Sequence, residues 1–187
     1  MYLNNNNPKG KRMIGTVTVR RVGADEAQAC VDGLADVLVD CVEGGASVSF
    51  MLPIGRDKAT AFWRNVADDV ARGGRVLLVA EDEAGQIVGT VQVITAQPEN
   101  QPHRADIAKM LVHRRARRNG IAQQLMIAAE AAAREEGKTV LVLDTVTGGD
   151  AERLYQRVGW QRVGDVPNYA LMPTGELCGT TFYCKQV

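Results

Sequence analysis

The stretch RRARRNGIAQQL, residues 114–125, places four arginines before a glycine and then changes to an apolar pattern with helical spacing. Like charges repel one another, so the cluster predicts that an anion binds nearby. Gly120 allows a ligand to approach the main chain closely. The N–H groups at the start of a helix are unpaired and carry a partial positive charge. These features predict a phosphate site in the loop from Arg117 to Ala122.

Two common phosphate motifs are absent from the sequence. The Walker loop requires GxxxxGK[ST], and the dinucleotide fingerprint requires GxGxxG after a strand. The pattern that remains is R-x-x-G-x-A, formed by Arg117, Gly120 and Ala122. The alternative explanation is a basic turn that is solvated or that contacts nucleic acid.

Two titratable residues stand at the ends of predicted elements further along the chain. Asp144 lies at the end of the buried run TVLVLDT, and ligands bind at the carboxyl edge of such sheets. Tyr155 lies in the predicted helix DAERLYQRV. A carboxylate can accept a proton and a phenol can donate one. The alternatives are a turn cap for Asp144 and a core aromatic for Tyr155. Weaker candidates for the base are Glu81, Asp82 and Asp106.

These motifs resemble the GNAT superfamily of N-acetyltransferases. The acyl-CoA pyrophosphate loop of that family follows Q/R-x-x-G-x-G/A, and LYQRVGW, residues 154–160, is similar to its LYxxxGF segment. The resemblance implies that acetyl-CoA is the cosubstrate and that it lies along the loop and the main chain of the preceding strand. The residues implied to bind it are Met110, Leu111, Val112, Arg117, Arg118, Asn119, Gly120, Ile121 and Ala122.

Four further segments resemble the tabtoxin-resistance acetyltransferases, which acetylate a β-lactam amino-acid toxin. They are GGASV at 44–48, LDT at 143–145, VGDVPNY at 163–169 and PTGEL at 173–177. The resemblance implies a small-molecule amine as the acceptor, either amino-acid-like or an antibiotic or toxin. It supports Asp144 as the proton acceptor. The loop residues expected to border the acceptor pocket are Gly45, Ser47, Asn168 and Tyr169.

One position departs from the wider superfamily. Many members have Asn seven residues before the Tyr, and this chain has Gly148 there, so a contact made by that Asn is not expected. The chain has four cysteines, with no CxxC pair and no His at metal-ligand spacing. We therefore expect no metal, reduced cysteines in a cytoplasmic protein, and direct acetyl transfer without an acyl-cysteine.

The net charge of +0, with 22 basic and 22 acidic residues, makes the arginine cluster a local feature. A local cluster without interleaved aromatic residues indicates no nucleic-acid partner. No apolar run is long enough to cross a bilayer, which predicts no membrane span. The sequence is compatible with a homodimer. Protein N-terminal or lysine acetylation and a non-catalytic acyl-CoA-binding module are the alternative functions, although Asp144 and Tyr155 argue against the module.

The apolar periodicity predicts the elements that position these groups. It indicates an α/β fold with a mixed sheet of about six to seven strands and helices on both faces. The strand ending at Val112, the helix after Gly120 and the strand ending near Asp144 predict a right-handed parallel crossover. The resemblance implies that these two strands splay and that CoA lies between them. We expect a disordered tail at residues 1–15 and a single acetyltransferase domain at 16–187.

Overall fold

The computed structural model describes residues 15–187, so residues 1–14 of the predicted tail lie outside the described residues. Residues 15–187 form seven strands and four α-helices, with a 3-10 turn at Arg114–Ala116. The elements are β1 (Thr18–Arg21), α1 (Val31–Glu43), α2 (Arg56–Ala71), β2 (Arg75–Glu81), β3 (Ile87–Ile94), β4 (Arg104–Val112), α3 (Ile121–Glu135), β5 (Val140–Val146), α4 (Asp150–Arg157), β6 (Gln161–Leu171) and β7 (Leu177–Gln186).

Seven strands form one mixed sheet in the order β1-β2-β3-β4-β5-β7-β6. Every neighbouring pair is antiparallel except β4 and β5, which are parallel and are connected by α3. Parallel neighbours need a crossover connection of this kind. The parallel crossover that the sequence predicted is therefore confirmed.

Alternate residues of β2 belong to two different hydrophobic cores. Val76 and Leu78 lie in the core that packs against α3 and α4, whereas Leu77 and Val79 lie in the core that packs against α1 and α2. Successive side chains of a strand point to opposite faces of the sheet, so helices cover both faces. The predicted α/β fold with a mixed sheet of six to seven strands is confirmed.

A bulge in β4 changes the face to which its residues point. Ile107 lies in the core beneath α3, but Leu111 lies in the opposite core, although the two positions are separated by an even number of residues. The pairing with β3 shifts register between Thr90 and Gln92. Lys109, at the shift, has a φ of 50° in the left-handed region. One extra residue therefore turns the end of β4 relative to its beginning.

The two parallel strands pair over a short distance only. Their register joins residues 104–106 of β4 to residues 140–142 of β5. Beyond these positions β4 continues to Val112 and β5 continues to Val146 without pairing with each other. A gap therefore opens in the middle of the sheet, between the carboxyl ends of the two strands, as expected for splayed central strands.

A buried carboxylate joins α3 to the last strand. Glu130 is 6% exposed, and its two oxygens accept hydrogen bonds from Trp160 Nε1 at 3.0 Å and Lys185 Nζ at 2.7 Å. Lys185 Nζ also donates to the carbonyl of Val158 at 2.6 Å. The carboxylate thus links the middle of α3, the segment after α4, and β7.

We expect Glu130→Ala to lower the free energy of unfolding by roughly 3 kcal/mol, because it leaves a half-buried ammonium and a buried indole N–H without their acceptor. Glu135→Ala is the matched control, since that side chain is 70% exposed and lies 3.9 Å from Arg21. The control substitution should lower the free energy of unfolding by less than about 1 kcal/mol. Urea unfolding followed by circular dichroism measures both values, and equal losses would refute this role of Glu130.

Candidate active site

The gap between β4 and β5 exposes main-chain groups that a regular sheet would pair. In the part of the chain that the structure describes, residues 107–112 of β4 have no strand partner on the side of β5. The carbonyl of Val112 is an exception to this exposure, because it accepts hydrogen bonds from Arg117 Nε at 3.1 Å and Cys41 Sγ at 3.5 Å. Unpaired main-chain groups need a partner from water or a ligand. The free edge of β4 is thus a candidate binding surface.

The loop before α3 presents six consecutive main-chain N–H groups, those of residues 118–123, which donate to no acceptor within residues 15–187. Gly120, immediately before the helix, has a φ of 76° in the left-handed region, which glycine adopts readily. Asn119 Nδ2 donates to the carbonyls of Ala116 at 3.2 Å and Arg117 at 3.3 Å, which holds the loop in shape. Such an array at a helix N-terminus suits a phosphate group.

The start of α3 is held close to the sheet by a glycine on β3. A Cβ at Gly89 would lie 3.1 Å from Leu125 Cδ1, 3.3 Å from Ile121 Cγ2 and 3.1 Å from the carbonyl oxygen of Leu111. Ile121 and Leu125 are buried, so the first turns of α3 are anchored in the core. The unpaired N–H groups therefore stand on a rigid support beside the carboxyl end of β4.

Two of the four arginines in the cluster are neutralised by carboxylates of the protein itself. Arg114 Nε donates to Asp40 at 2.9 Å, and Arg115 Nη1 donates to Asp82 at 2.9 Å. These pairs correct the expectation that the whole cluster awaits an external anion. Arg118 is exposed and has no hydrogen-bond or ion-pair partner among residues 15–187. It is therefore the guanidinium of the cluster that is available to a ligand beside the loop.

Tyr155 lies in α4 on the face of the sheet that α3 covers, and it is 5% exposed. Its ring packs 5.8 Å from Tyr183 and 6.2 Å from Trp160. Burial and then the charge of Asp144 raise the pKa of Tyr155 well above its usual range, so the phenol stays protonated at neutral pH. The hydroxyl has no hydrogen-bond partner in residues 15–187 and is not among their solvent-inaccessible unpartnered atoms. Its oxygen therefore remains in contact with solvent.

Asp144 lies on the opposite face of the sheet. The preceding residue, Leu143, belongs to the core beneath α3, so the next side chain points toward the side of α1 and α2. Asp144 is exposed. Partial burial raises the pKa of its carboxyl, the charge of Lys109 lowers it, and the charge of Asp106 raises it. Asp144 and Tyr155 thus approach the gap from its two sides.

Two of the four predicted acceptor residues lie where the sequence placed them. Gly45 and Ser47 are in the loop after α1, where Gly45 has a φ of 87°. Ser47 Oγ donates to the carbonyl of Leu171 at 2.8 Å, and Leu52 N donates to the carbonyl of Pro173 at 2.9 Å. These bonds join the loop to the end of β6 and to the turn before β7.

The expectation that Asn168 and Tyr169 lie in a loop is wrong. Both belong to β6, whose register with β7 shifts between Val166 and Ala170. The segment VPNY contains typical turn residues, but the long pairing with β7 overrides that local preference, and a bulge with Asn168 at a φ of 53° accommodates them.

The bulge leaves Tyr169 close to the candidate catalytic face. Its ring is 54% exposed and packs edge-to-face on Phe182, with ring centroids 5.7 Å apart. Phe182 is the register partner of Asp144 across β5 and β7, and directly paired residues share a face of the sheet. An exposed aromatic surface therefore borders Asp144.

The structure brings together on the same face three residues that the sequence pattern did not indicate, Lys109, Ser49 and Phe62. Lys109 Nζ donates to Ser49 Oγ at 3.2 Å and lies 5.6 Å from the centroid of the Phe62 ring. The available signal was a lysine inside the otherwise apolar half-strand IAKMLV. Its contacts depend on the bulge, which the sequence pattern did not reveal.

A second concavity, with a volume of about 690 Å³, lies between α1 and the β2–β3 turn. Its charged groups are already paired, as shown by Arg20, which binds Glu81 at 2.7 Å and also contacts Glu26. It contains neither the free edge of β4 nor the loop before α3. The gap between β4 and β5 is therefore the better candidate for the active site.

Other features limit the chemistry of the described residues. The four cysteines are free, and burial raises the pKa of the Cys41 thiol, which disfavours a nucleophilic thiolate. Residues 15–187 contain no group of three or more His, Cys, Asp or Glu side chains arranged to hold a metal. None of the helices in this range has the length and apolar character that crossing a membrane requires.

Comparison with known proteins identifies the family. The sequence model of the acetyltransferase (GNAT) family matches residues 49–160, more than half of the chain. The chain belongs to the GNAT acetyltransferase family. An uncharacterized N-acetyltransferase of Azospirillum brasilense, encoded in the hisH-hisA intergenic region, is 31% identical over 130 residues, which are 68% of this chain and 74% of that protein. The resemblance drawn from R-x-x-G-x-A and LYQRVGW is thus confirmed at the level of the family.

Solved structures of this GNAT acetyltransferase's neighbours confirm the fold. A ribosomal-protein-alanine N-acetyltransferase from Brucella melitensis has a TM-score of 0.74 at 24% identity, with 91% of this chain and 99% of that chain covered. A phosphinothricin acetyltransferase from Sinorhizobium meliloti, solved in complex with acetyl-CoA, has a TM-score of 0.74 at 16% identity, with 92% and 89% covered. The closer resemblance to the tabtoxin-resistance acetyltransferases stays a prediction.

We expect Gly120→Ala to weaken the binding of CoA about tenfold or more, because its Cβ would enter the open space beside the unpaired N–H groups. Gly137→Ala is the matched control at the other end of α3. Gly137 has a φ of 70°, close to the 76° of Gly120, and neither added Cβ meets an atom within 4 Å. Both variants therefore carry similar backbone strain. Calorimetric titration with CoA should show a loss of affinity in Gly120→Ala alone. Equal affinities in the two variants would rule out this loop as the binding site of the CoA phosphates.

Proposed function

We propose that this GNAT acetyltransferase transfers the acetyl group of acetyl-CoA directly to the amine of a small molecule. The observation that carries the proposal is the gap between β4 and β5, which has the N–H groups of residues 118–123, unpaired within residues 15–187, at one end and the side chains of Asp144 and Tyr155 on its two sides. A non-catalytic acyl-CoA-binding module would have no need of that pair, so catalysis is the better reading.

The cosubstrate follows the exposed main chain in this proposal. Its pyrophosphate accepts hydrogen bonds from the N–H groups of residues 118–123, with Arg118 beside them. The pantetheine arm lies along the free edge of β4. The thioester reaches the main chain of Met110, Leu111 and Val112, where an N–H group can donate to the carbonyl oxygen as negative charge develops on it. Acetyl-CoA in the Sinorhizobium meliloti neighbour supports this choice of cosubstrate.

The chemical step needs three proton transfers, two from the acceptor nitrogen and one to the CoA sulfur. An alkyl ammonium has a pKa near ~10, so the acceptor must lose a proton before it can attack. Asp144, directly or through water, accepts that proton, and the free amine then forms a bond to the thioester carbonyl carbon. The carbon–sulfur bond breaks as the tetrahedral intermediate collapses, and Tyr155 protonates the departing CoA thiolate. The nitrogen, which became positively charged on attack, releases its second proton through water to the Tyr155 oxygen, and Asp144 releases its proton to solvent. The products are the acetylated amine and CoA.

Two observations support direct transfer to a small acceptor. The raised pKa of the buried Cys41 thiol makes an acyl-cysteine unfavourable. The hydrogen bonds of Ser47 and Leu52 connect the loop after α1 to the end of β6 and the following turn, which restricts the space open to a long peptide.

The tabtoxin-resistance resemblance and a phosphinothricin acetyltransferase among the neighbours favour an amino-acid-like acceptor, including an antibiotic or toxin. The free cysteines support a cytoplasmic location.

Tyr155→Phe keeps the ring and removes the proton donor. We expect kcat to fall by about 10²–10⁴-fold, because general acid catalysis typically contributes that much, while the affinity for acetyl-CoA stays within about twofold. Tyr183→Phe is the control, since its buried ring is adjacent but its hydroxyl is bonded to Glu152 at 3.2 Å. Thiol-release kinetics measure both variants. A Tyr155→Phe enzyme as fast as the control would leave Tyr155 with a packing role only.

Asp144→Asn keeps the shape of the side chain but cannot accept a proton. The pKa of Asp144 is raised, and the ionised form is the active one, so kcat/KM should fall as the pH drops through that raised pKa. In Asp144→Asn this acidic limb should disappear and kcat should be low at every pH, with acetyl-CoA affinity retained. Asp106→Asn is the control on the neighbouring strand. Full activity in Asp144→Asn, combined with a loss of activity in Asp106→Asn, would identify Asp106 as the base instead.

A further inference from the structure

The half-buried Lys109 lies on the same side of the gap as Asp144 and takes no part in the proposed proton transfers. The bulge in β4 places the Lys109 side chain on the same face of the sheet as Asp144. Phe62, on α2, lies beside the Lys109 side chain on this face. Its ammonium donates to Ser49 Oγ at 3.2 Å and lies 5.6 Å from the Phe62 ring centroid. A hydroxyl and an aromatic ring are weak partners for a cation that has left bulk water.

No carboxylate among residues 15–187 lies within salt-bridge distance of Lys109 Nζ. The charge of Asp144 raises the pKa of Lys109, and the charge of Lys109 lowers the pKa of Asp144, so the two groups interact across a space without touching. Asp106, the other nearby carboxylate, is already bonded to Arg104 and to Gln97 Nε2 at 3.0 Å. The ammonium therefore lacks a counter-ion of its own.

The main chain at this contact is strained on both sides. Lys109 has a φ of 50° and Ser49 has a φ of 77°, and both are in the left-handed region, which L-residues rarely adopt. Residues held in this way cluster at ligand sites, where the surrounding structure maintains them. The other non-glycine residues with positive φ in residues 15–187 are Arg118, in the loop before α3, and Asn168, in the β6 bulge. All four therefore lie in the elements that surround the candidate active site.

We infer that the Lys109 ammonium and the Ser49 hydroxyl bind a carboxylate of the acceptor while Asp144 faces its amine, so that the substrate class is an amino acid with a free carboxylate. An amino acid carries one positive and one negative group, which complements an Asp and a Lys held apart on one face. Burial lowers the pKa of Lys109, and a carboxylate against it would raise that pKa again. This inference rests on the proposed function.

Removing the charge of Lys109 should also change the pKa of Asp144, the proposed proton acceptor. The charge of Asp144 interacts with those of Lys109 and Asp106 on β4 and acts on Tyr155 on α4 across the gap, and Lys109 also interacts with the charge of Arg75 on β2. Of these charges, that of Lys109 is the one that lowers the pKa of Asp144. Loss of the ammonium should therefore raise that pKa and move the acidic limb of kcat/KM to higher pH. A residue with a purely structural role would leave the limb in place.

The test is a thiol-release assay with simple alkyl amines and with a panel of L-amino acids, each amino acid paired with its carboxamide, in which the charged carboxylate is replaced by a neutral group. The wild-type enzyme should prefer the free acids. Lys109→Met should raise KM for the preferred acid by about 10–100-fold, the value of one charge-assisted hydrogen bond, and reduce the preference over the carboxamide by the same factor. Lys109→Arg keeps the charge and should restore part of the preference.

Lys58→Met is the matched control. Lys58 Nζ lies 5.8 Å from the centroid of the Phe50 ring, a similar cation–aromatic contact, but this side chain is exposed on α2. The control should leave both the KM and the preference for free acids at the wild-type values. Thermal unfolding of each variant, with acetyl-CoA bound, shows whether a loss of activity follows from a loss of folding.

The outcomes separate this inference from the proposed function. A wild-type enzyme that acetylates carboxamides or simple amines better than free acids overturns the role of Lys109 and leaves acetyl transfer standing. The same conclusion follows if Lys109→Met loses activity equally toward free acids and carboxamides, and if Lys109→Arg restores neither activity. If no amine of either type is acetylated, both proposals are contradicted.

Discussion

The early end of the pairing between β4 and β5 is the constraint on which the whole site depends. Only three residue positions pair, and beyond them the two strands carry unpaired main-chain groups into the middle of the sheet. Such groups are costly to bury without partners, so the gap must be filled by water or by a ligand. Two devices keep it open, namely the bulge at Lys109, which turns the end of β4, and the close packing of α3 against Gly89, which holds the phosphate loop beside that end.

Strand alternation distributes the proposed chemistry over the two faces of the sheet. Leu143 points into the core beneath α3, where Tyr155 lies, and Asp144 points the other way, toward α1 and α2. The Tyr155 phenol, whose pKa is raised, and the solvent-exposed carboxylate of Asp144 thus lie on opposite sides of one gap. The cosubstrate and the acceptor can then enter from different directions and meet at the end of β4. A shift of one residue in the register of β5 would turn Asp144 to the face of Tyr155, because every side chain of that strand would change face.

Local patterns in the sequence were sufficient to predict the frame of the site. The end of β4 at Val112 and the crossover helix after Gly120 follow from hydrophobic periodicity, the splaying of the strands was implied by the family resemblance, and the structure contains all three. Contacts between distant segments were not predictable in this way. Asp40 and Asp82 neutralise Arg114 and Arg115 from 74 and 33 residues away, and pairing with β7 keeps the turn-like segment around Asn168 in a strand. Lys109 was missed for the same reason, since its neighbour Ser49 is 60 residues away.

The central claim is that CoA binds in the gap, with its pyrophosphate on the N–H groups before α3. The most direct measurement is a titration of the ¹⁵N-labelled protein with CoA, followed by the amide signals of the backbone. We expect the largest changes at residues 118–123, with a second set along residues 107–112 of β4 and 143–146 of β5. Unchanged signals in these three segments, with the changes concentrated instead around Arg20, Cys30 and His113 in the second concavity, would contradict the claim.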